Sequence, residues 1–221
     1  MNATPPRVVA IDGVAGSGKS TLARSLARAL GLPYVNTGLM YRALAASALD
    51  HDVATDDETA LVELTRRLTF TVVEGEPPEL EVEGFPSDRL MTLEVEAVVS
   101  SVARHPQVRT LMRATQRAIG ERDGAVMEGR DIGSVVFADA PVKLYLSADV
   151  DQRAERRAGQ RRAGRAQVER SLTDRDDRDA RTTPHVPADD AAIIDTTDLT
   201  IDRTLLAALD VVARLAPELL T

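Results

Sequence analysis

The sequence predicts an α/β protein: a parallel five-stranded sheet flanked by helices, interrupted by an inserted region with a small antiparallel β element. Two observations point there. Short β-branched runs alternate with longer stretches of helical periodicity, the pattern of parallel strands joined by helical crossovers. One Pro/Gly turn in mid-chain, Glu74–Glu79 (EGEPPE), breaks that alternation between two further β runs. At 221 residues the chain can bury roughly 70% of its unfolded surface, and its 43% hydrophobic content excludes a wholly disordered chain.

The elements follow in order. Arg7–Asp12 (RVVAID) is a short β-branched run, predicting a buried first strand. A helix is expected from about Lys19 to Leu30, with Leu22, Leu26, Ala29 and Leu30 on one face and Gly31 and Pro33 ending it. Tyr34–Asn36 reads as a second strand and Leu39–Leu49 as a helix. Leu68–Val73 and Leu80–Glu83 flank the EGEPPE turn as an inserted antiparallel hairpin. Pro106 suits the first turn of a helix running to about Ile119, with Val108, Leu111, Met112 and Ile119 facing inward. Ala125–Glu128 and Val142–Leu146 are core-strand candidates. Asp149–Arg162 is a polar, Arg-rich helix with little apolar stripe, expected to be exposed. Ile193–Asp195 and Ile201–Leu215 complete the chain as last strand and closing helix.

Charge narrows the function. The net charge of −8 argues against a general nucleic-acid binder. The cations are 25 Arg and only two Lys, Lys19 and Lys143, and ten of the Arg lie between Arg153 and Arg181. An Arg-dense segment in an acidic chain suggests a local anion site, because guanidinium suits bidentate phosphate recognition. A solvated helix of mixed charge accounts for the same segment. The absence of cysteine removes disulfide and thiolate chemistry and fits a reducing, cytoplasmic setting. No apolar run approaches 18 residues, and the N-terminal MNATPPRVVAID lacks the pattern of a secretory signal. His51, His105 and His185 have no metal-ligand spacing and read as surface residues.

Gly13-Val14-Ala15-Gly16-Ser17-Gly18-Lys19-Ser20 matches G-x-x-x-x-G-K-[ST] between a strand and a helix. Glycines let the backbone wrap a phosphate with its N–H groups turned inward, and the helix N-terminus adds partial positive charge. Gly13 through Thr21 are therefore candidate ATP-binding residues. Lys19 would reach the β- and γ-phosphates and the Ser20 hydroxyl would ligate Mg²⁺. The fold class is thus a P-loop NTPase fold. The guanine-reading N-K-x-D and switch D-x-x-G strings of signalling GTPases do not occur. Motor and transporter ATPases are longer chains that work at oligomer interfaces. A small-molecule kinase fits better, because joining two polyanions requires many cations and a lid that excludes water.

Four further blocks carry a family resemblance: Asn36-Thr37-Gly38-Leu39-Met40-Tyr41-Arg42, Glu128-Gly129-Arg130-Asp131-Ile132-Gly133, Phe137-Ala138-Asp139-Ala140-Pro141-Val142-Lys143 and Arg175-Asp176-Asp177-Arg178-Asp179. In order and spacing, from about Val8 to Ile201, the chain resembles the bacterial cytidylate (CMP/dCMP) kinases. The resemblance implies transfer of the γ-phosphoryl group of MgATP to CMP or dCMP by a monomer. It implies a single kinase domain with a core (1–41, 123–148 and 182–221), an inserted monophosphate-binding region (about 42–122) and a helical lid (about 149–181).

The resemblance also implies residue roles. Thr37, Tyr41 and Arg42 would line the acceptor pocket, with Arg42 on the CMP phosphate. Ser100, Arg109 and Asp131 would read the cytosine edge, Asp131 accepting from the N4 amino group. Arg130 would bridge phosphates. Arg175, Asp179 and Arg181 would contact the acceptor and the transition state. Arg153, Arg156 and Arg157 are candidates for the ATP phosphates. Taken singly, several have plainer readings: Tyr41 as a core aromatic, Ser100 and Arg109 as surface residues, Asp131 as a helix cap, Arg175 and Asp179 as an i,i+4 ion pair. The chain departs from the family pattern at Asn36, usually Asp, and at Met91, often Arg, and its lid segments are short. Another small phosphate or alcohol as acceptor, UMP included, or a nucleotide-binding regulator without turnover, are the competing readings. ATP consumption that depends on a second substrate separates them.

Overall fold

A computed structural model describes residues 6–161 and 186–220, with side chains described through 156 in the first segment. β1 (Val8–Gly13) leads through the glycine-rich loop into α1 (Lys19–Leu30), β2 (Tyr34–Asn36) and α2 (Thr37–Asp50). α3 (Glu58–Arg67), β3 (Phe70–Val73), β4 (Glu79–Val82), α4 (Ser87–Leu90), α5 (Leu93–Val102) and α6 (Pro106–Asp123) follow. The chain returns through β5 (Ala125–Glu128), a π-helical turn (Ile132–Val136), β6 (Val142–Ser147) and α7 (Val150–Arg161). β7 (Ala192–Asp195), α8 (Ile201–Leu215) and a 3₁₀ turn (Pro217–Leu220) close the described chain.

The sheet has seven strands rather than the five expected, in the order β3-β4-β2-β5-β1-β6-β7. Five are the parallel core strands. The other two are the hairpin, antiparallel within itself (Phe70↔Val82 to Val73↔Glu79). The hairpin is not a separate layer, because β4 bridges β2 in parallel at Tyr34↔Glu79 and the Tyr34 N–H donates to Pro78 O at 2.7 Å. One hydrogen-bonded step therefore makes the inserted region continuous with the core sheet.

Side-chain alternation along β1 divides the core in two. Val8 and Ala10 face a cluster that includes Val35, Met127 and the inner faces of α2, α3, α5 and α6. Val9 and Ile11 face the opposite cluster, where Leu22 and Leu26 of α1 and Val211 and Val212 of α8 pack on Leu144 and Leu146. Helices α3 and α5 are absent from the sequence-based expectation. α3 is capped by Asp57, whose side chain accepts from Ala60 N, and buries Leu61, Val62 and Leu64. α5 (LEVEAVVSSV) is valine-rich, a composition that favours strand. Its Thr92 cap and the packing of Val95, Val99 and Val102 against the α2 side decide for helix. α7 is less exposed than its composition suggests, since Arg153 and Ala154 are buried.

Candidate functional site

The loop of residues 13–20 lies at the carboxyl end of β1, in the usual crevice of an open α/β sheet. Gly13 sits where β1 lies against β6: a Cβ there would stand 2.2 Å from Leu146 O, so only glycine lets the loop leave the sheet at this point. Gly18, with φ 93°, turns the backbone into α1. Lys19 Nζ donates to Gly13 O at 2.8 Å and Val14 O at 2.7 Å, which holds the ammonium along the rim of the loop.

Beneath the loop lies Asp12, whose carboxylate accepts from Ile132 N at 2.8 Å and Gly133 N at 2.7 Å. Burial raises its pKa to about 6; the two N–H bonds and Lys19 oppose the rise, and Asp131 adds to it. Asp12 thus ties the end of β1 to the segment carrying Arg130 and Asp131. Arg130 Nη1 donates to Gly13 O at 3.1 Å. Glu128, buried at the end of β5, accepts from the Tyr34 hydroxyl. Burial and Glu128 together push the Tyr34 pKa up. Thr37 Oγ1 donates to Glu128 O at 2.8 Å.

Two cavities open on either side of Lys19. The smaller, of about 240 Å³, is walled by Thr37, Tyr41, Arg42, Ser100, Arg109, Arg130 and Asp131. The larger, of about 710 Å³, runs over residues 16–22 to Arg156, Thr196, Leu199 and Ile201. Gly16, Lys19, Ser20, Arg42 and Met91 line both, so the cavities meet at the lysine. In the smaller one Arg42 is buried and donates to Leu90 O at 3.1 Å. Tyr41 is half-buried, and burial is the main cause of its raised pKa. Arg109 donates to Asp131 at 2.7 Å.

The structure therefore gathers Lys19, Ser20, Thr37, Tyr41, Arg42, Ser100, Arg109, Arg130 and Asp131 around one cavity. Arg153 is held against the loop itself. It sits beneath the loop, where its guanidinium donates to Ala15 O at 3.0 Å and its Cβ passes close to Gly16, and it lines neither cavity. Arg156 lines the larger cavity and donates to Thr196 Oγ1 at 3.1 Å. Arg175, Asp179, Arg181 and His185, the side chain of Arg157 and most of the lid segment fall outside the described residues. His105 is not a surface residue: it is buried at the start of α6 with Nε2 at 2.8 Å from Thr55 O, because the 50s loop folds over it. His51 is exposed.

Four contributors escaped the sequence reading. Asp12 had a signal, an acid ending a buried strand directly before the loop. Arg113 lies one helical turn beyond Arg109, the only hint that both reach Asp131. The Tyr34–Glu128 contact and the Thr196 wall join residues far apart in sequence and had none. Among the described residues no group of three or more His, Asp or Glu side chains could hold a metal by itself. The hydroxyl of Ser20 at the mouth of the loop is a hard oxygen donor, suited to a magnesium ion shared with nucleotide phosphates. No described helix is long and apolar enough to cross a membrane.

A mostly parallel sheet whose strand β1 feeds a phosphate loop, with two cavities meeting at that loop's lysine and arginines around one of them, defines a kinase of the P-loop class. The family model for cytidylate kinase matches residues 9–214, and the chain belongs to that family. It is 45% identical over 191 residues to the cytidylate kinase of Roseiflexus castenholzii, covering 79% of each chain. It is 41% identical over 218 residues to that of Klebsiella pneumoniae, covering 95% of this chain and 96% of the relative. It is 38% identical over 210 residues to that of Desulforamulus reducens, covering 91% and 95%.

Proposed function

We propose that the protein transfers the γ-phosphoryl group of MgATP to CMP or dCMP, giving ADP and CDP or dCDP. One observation carries this reading: the two cavities share Lys19 and Arg42, so ligands in each bring their phosphates to the same cations. ATP occupies the larger cavity, with its phosphates over the N–H groups of residues 13–20 and its nucleoside toward Thr196 and Leu199. CMP occupies the smaller, with its phosphate at Arg42 and Arg130 and its base toward Ser100, Arg109 and Asp131.

A phosphate monoester is already an anionic nucleophile near neutral pH, so the site needs no general base. An oxygen of the CMP phosphate forms a bond to the γ-phosphorus while the bond to the ADP oxygen breaks, and ADP leaves with the electron pair. Lys19, Arg42 and Arg130 balance the charge of two approaching polyanions and hold them in line. Arg153 and Asp12 keep the loop and the Arg130 segment in register beneath them. Ser20 would hold magnesium together with the ATP phosphates, and the ion would supply further charge neutralisation there. In this reading Arg175, Asp179 and Arg181 contact the acceptor and the transition state, with Arg157 on the ATP side.

ADP release from MgATP with CMP, dCMP, UMP, AMP, GMP or dTMP tests the reading. CMP and dCMP should lead, and Lys19→Ala should lower their turnover on the order of 10³-fold while leaving the circular dichroism and melting curve unchanged. A lead by UMP or AMP would overturn the acceptor assignment. A fully active Lys19→Ala protein would overturn the phosphate-loop mechanism.

A further inference from the structure

On α6 two arginines one turn apart converge on a single oxygen. Arg109 Nη2 and Arg113 Nη2 both donate to Asp131 Oδ2, at 2.7 and 2.8 Å. The side chains of Arg109 and Asp131 are each 12% exposed and that of Arg113 35%. Arg109 and Asp131 wall the smaller cavity, whereas Arg113 stands behind them and does not. The described hydrogen bonds of the Asp131 carboxylate all fall on Oδ2, which leaves Oδ1 as an acceptor.

We propose that Arg113 is a positioning residue for acceptor selection: it holds Asp131 when Arg109 turns from that carboxylate to the acceptor's base. The inference rests on the assignment of CMP to the smaller cavity. Arg109 already spends Nη2 on Asp131 and Nη1 on Ala103 O, at 3.4 Å, so presenting its planar fork to a nucleobase draws it away from that carboxylate. In so enclosed a site a carboxylate stripped of its partner is strongly disfavoured, because an uncompensated charge has been taken out of water. Arg113 removes that cost by staying. It also fixes the orientation of the carboxylate, so that Oδ1 remains an acceptor. An acceptor there matches the amino donor of cytosine and opposes the carbonyl that uracil presents at the same position.

The test is steady-state kinetics of the full chain with CMP and UMP, for the unaltered protein, Arg113→Met, Arg113→Lys, Asp131→Asn and the double variant Arg113→Met/Asp131→Asn. Arg113→Met should raise KM for CMP roughly five- to fifty-fold, with kcat and KM for MgATP within about twofold, and should lower the CMP-to-UMP ratio of kcat/KM. Arg113→Lys, which restores the charge, should recover most of the KM. The effect of Arg113→Met should disappear in the Asp131→Asn background. Arg113→Gln provides a second neutral side chain should Arg113→Met fail to fold. An unchanged KM and base preference in the neutral variant, or an undiminished effect in the Asp131→Asn background, overturns the role of Arg113 alone. Absence of CMP turnover by the unaltered protein overturns the acceptor assignment and this inference with it.

Discussion

Asp12 carries a cost at neutral pH that its position explains. Its carboxyl has an ordinary value of 3.8 and is raised to about 6, chiefly by burial, with Asp131 nearby and Lys19 and two backbone N–H groups opposing. A carboxyl raised in the folded state stabilises the fold while protonated. That contribution is full below about pH 4 and is lost as pH climbs through about 6, amounting to about 3 kcal/mol across the window. Asp12→Asn abolishes the titration while keeping one acceptor for the Ile132–Gly133 pair. Melting temperature measured from pH 4 to 7 should therefore fall in the native protein relative to the variant. Parallel curves would show that Asp12 does not titrate in the fold. The native protein retains this charge because both oxygens are needed: one carboxylate accepts two N–H groups and so fixes the backbone that presents Arg130 and Asp131.

α6 serves both the core and the site. Its outer turns hold Arg109 and Arg113 against Asp131, and its last turns pack on the sheet. Gly120 makes that packing possible: a Cβ there would meet Phe137 Cζ at 2.6 Å and Val8 Cγ2 at 3.1 Å, and Phe137 is fully buried. Alanine is the better helix former by about 1 kcal/mol, but overpacking a filled core costs about 1–3 kcal/mol. Gly120→Ala should lower the melting temperature by roughly 2–4 °C for each kcal/mol of net loss. An equal or higher melting temperature would mean that the ring beside Gly120 can move aside. Apolar periodicity located α6 from the sequence because Val108, Met112 and Ile119 recur at helical spacing. It could not locate α5, where valines occupy helix positions and only the cap and the packing reveal the element.

At the scale of the molecule, the inserted region is secured to the core along one strand edge. Beside the Tyr34↔Glu79 bridge, Arg24 grips Glu79 with two bonds of 2.6 and 3.0 Å, stacks on the Tyr34 ring, and has Arg28 donating to Glu76 O at 2.8 Å one turn later. These contacts are exposed, and such pairs contribute about 0–1 kcal/mol each to global stability. Their effect should be local. Arg24→Ala/Arg28→Ala should speed amide exchange across residues 70–82 while shifting the global melt by no more than a few degrees. Unchanged protection of the hairpin would mean that its own pairing, not the α1 arginines, secures it.

The phosphate loop was legible because its demands are local: backbone turned onto a phosphate needs glycines at set intervals, and the lysine and serine must follow at once. Strands β1, β5 and β6 were legible because strands covered on both faces are almost continuously apolar. The blocks around Thr37, Arg42, Arg130 and Asp131 were legible through their resemblance to one family, which named residues without placing them. Tertiary structure alone decided how the hairpin joins the sheet, because strand pairing is a choice among edges. It alone turned Arg153 under the loop, buried His105 and set two arginines on one oxygen of Asp131. Those outcomes depend on which groups lose water together, and residues that are far apart along the chain meet that condition only once the sheet and its covering helices have closed.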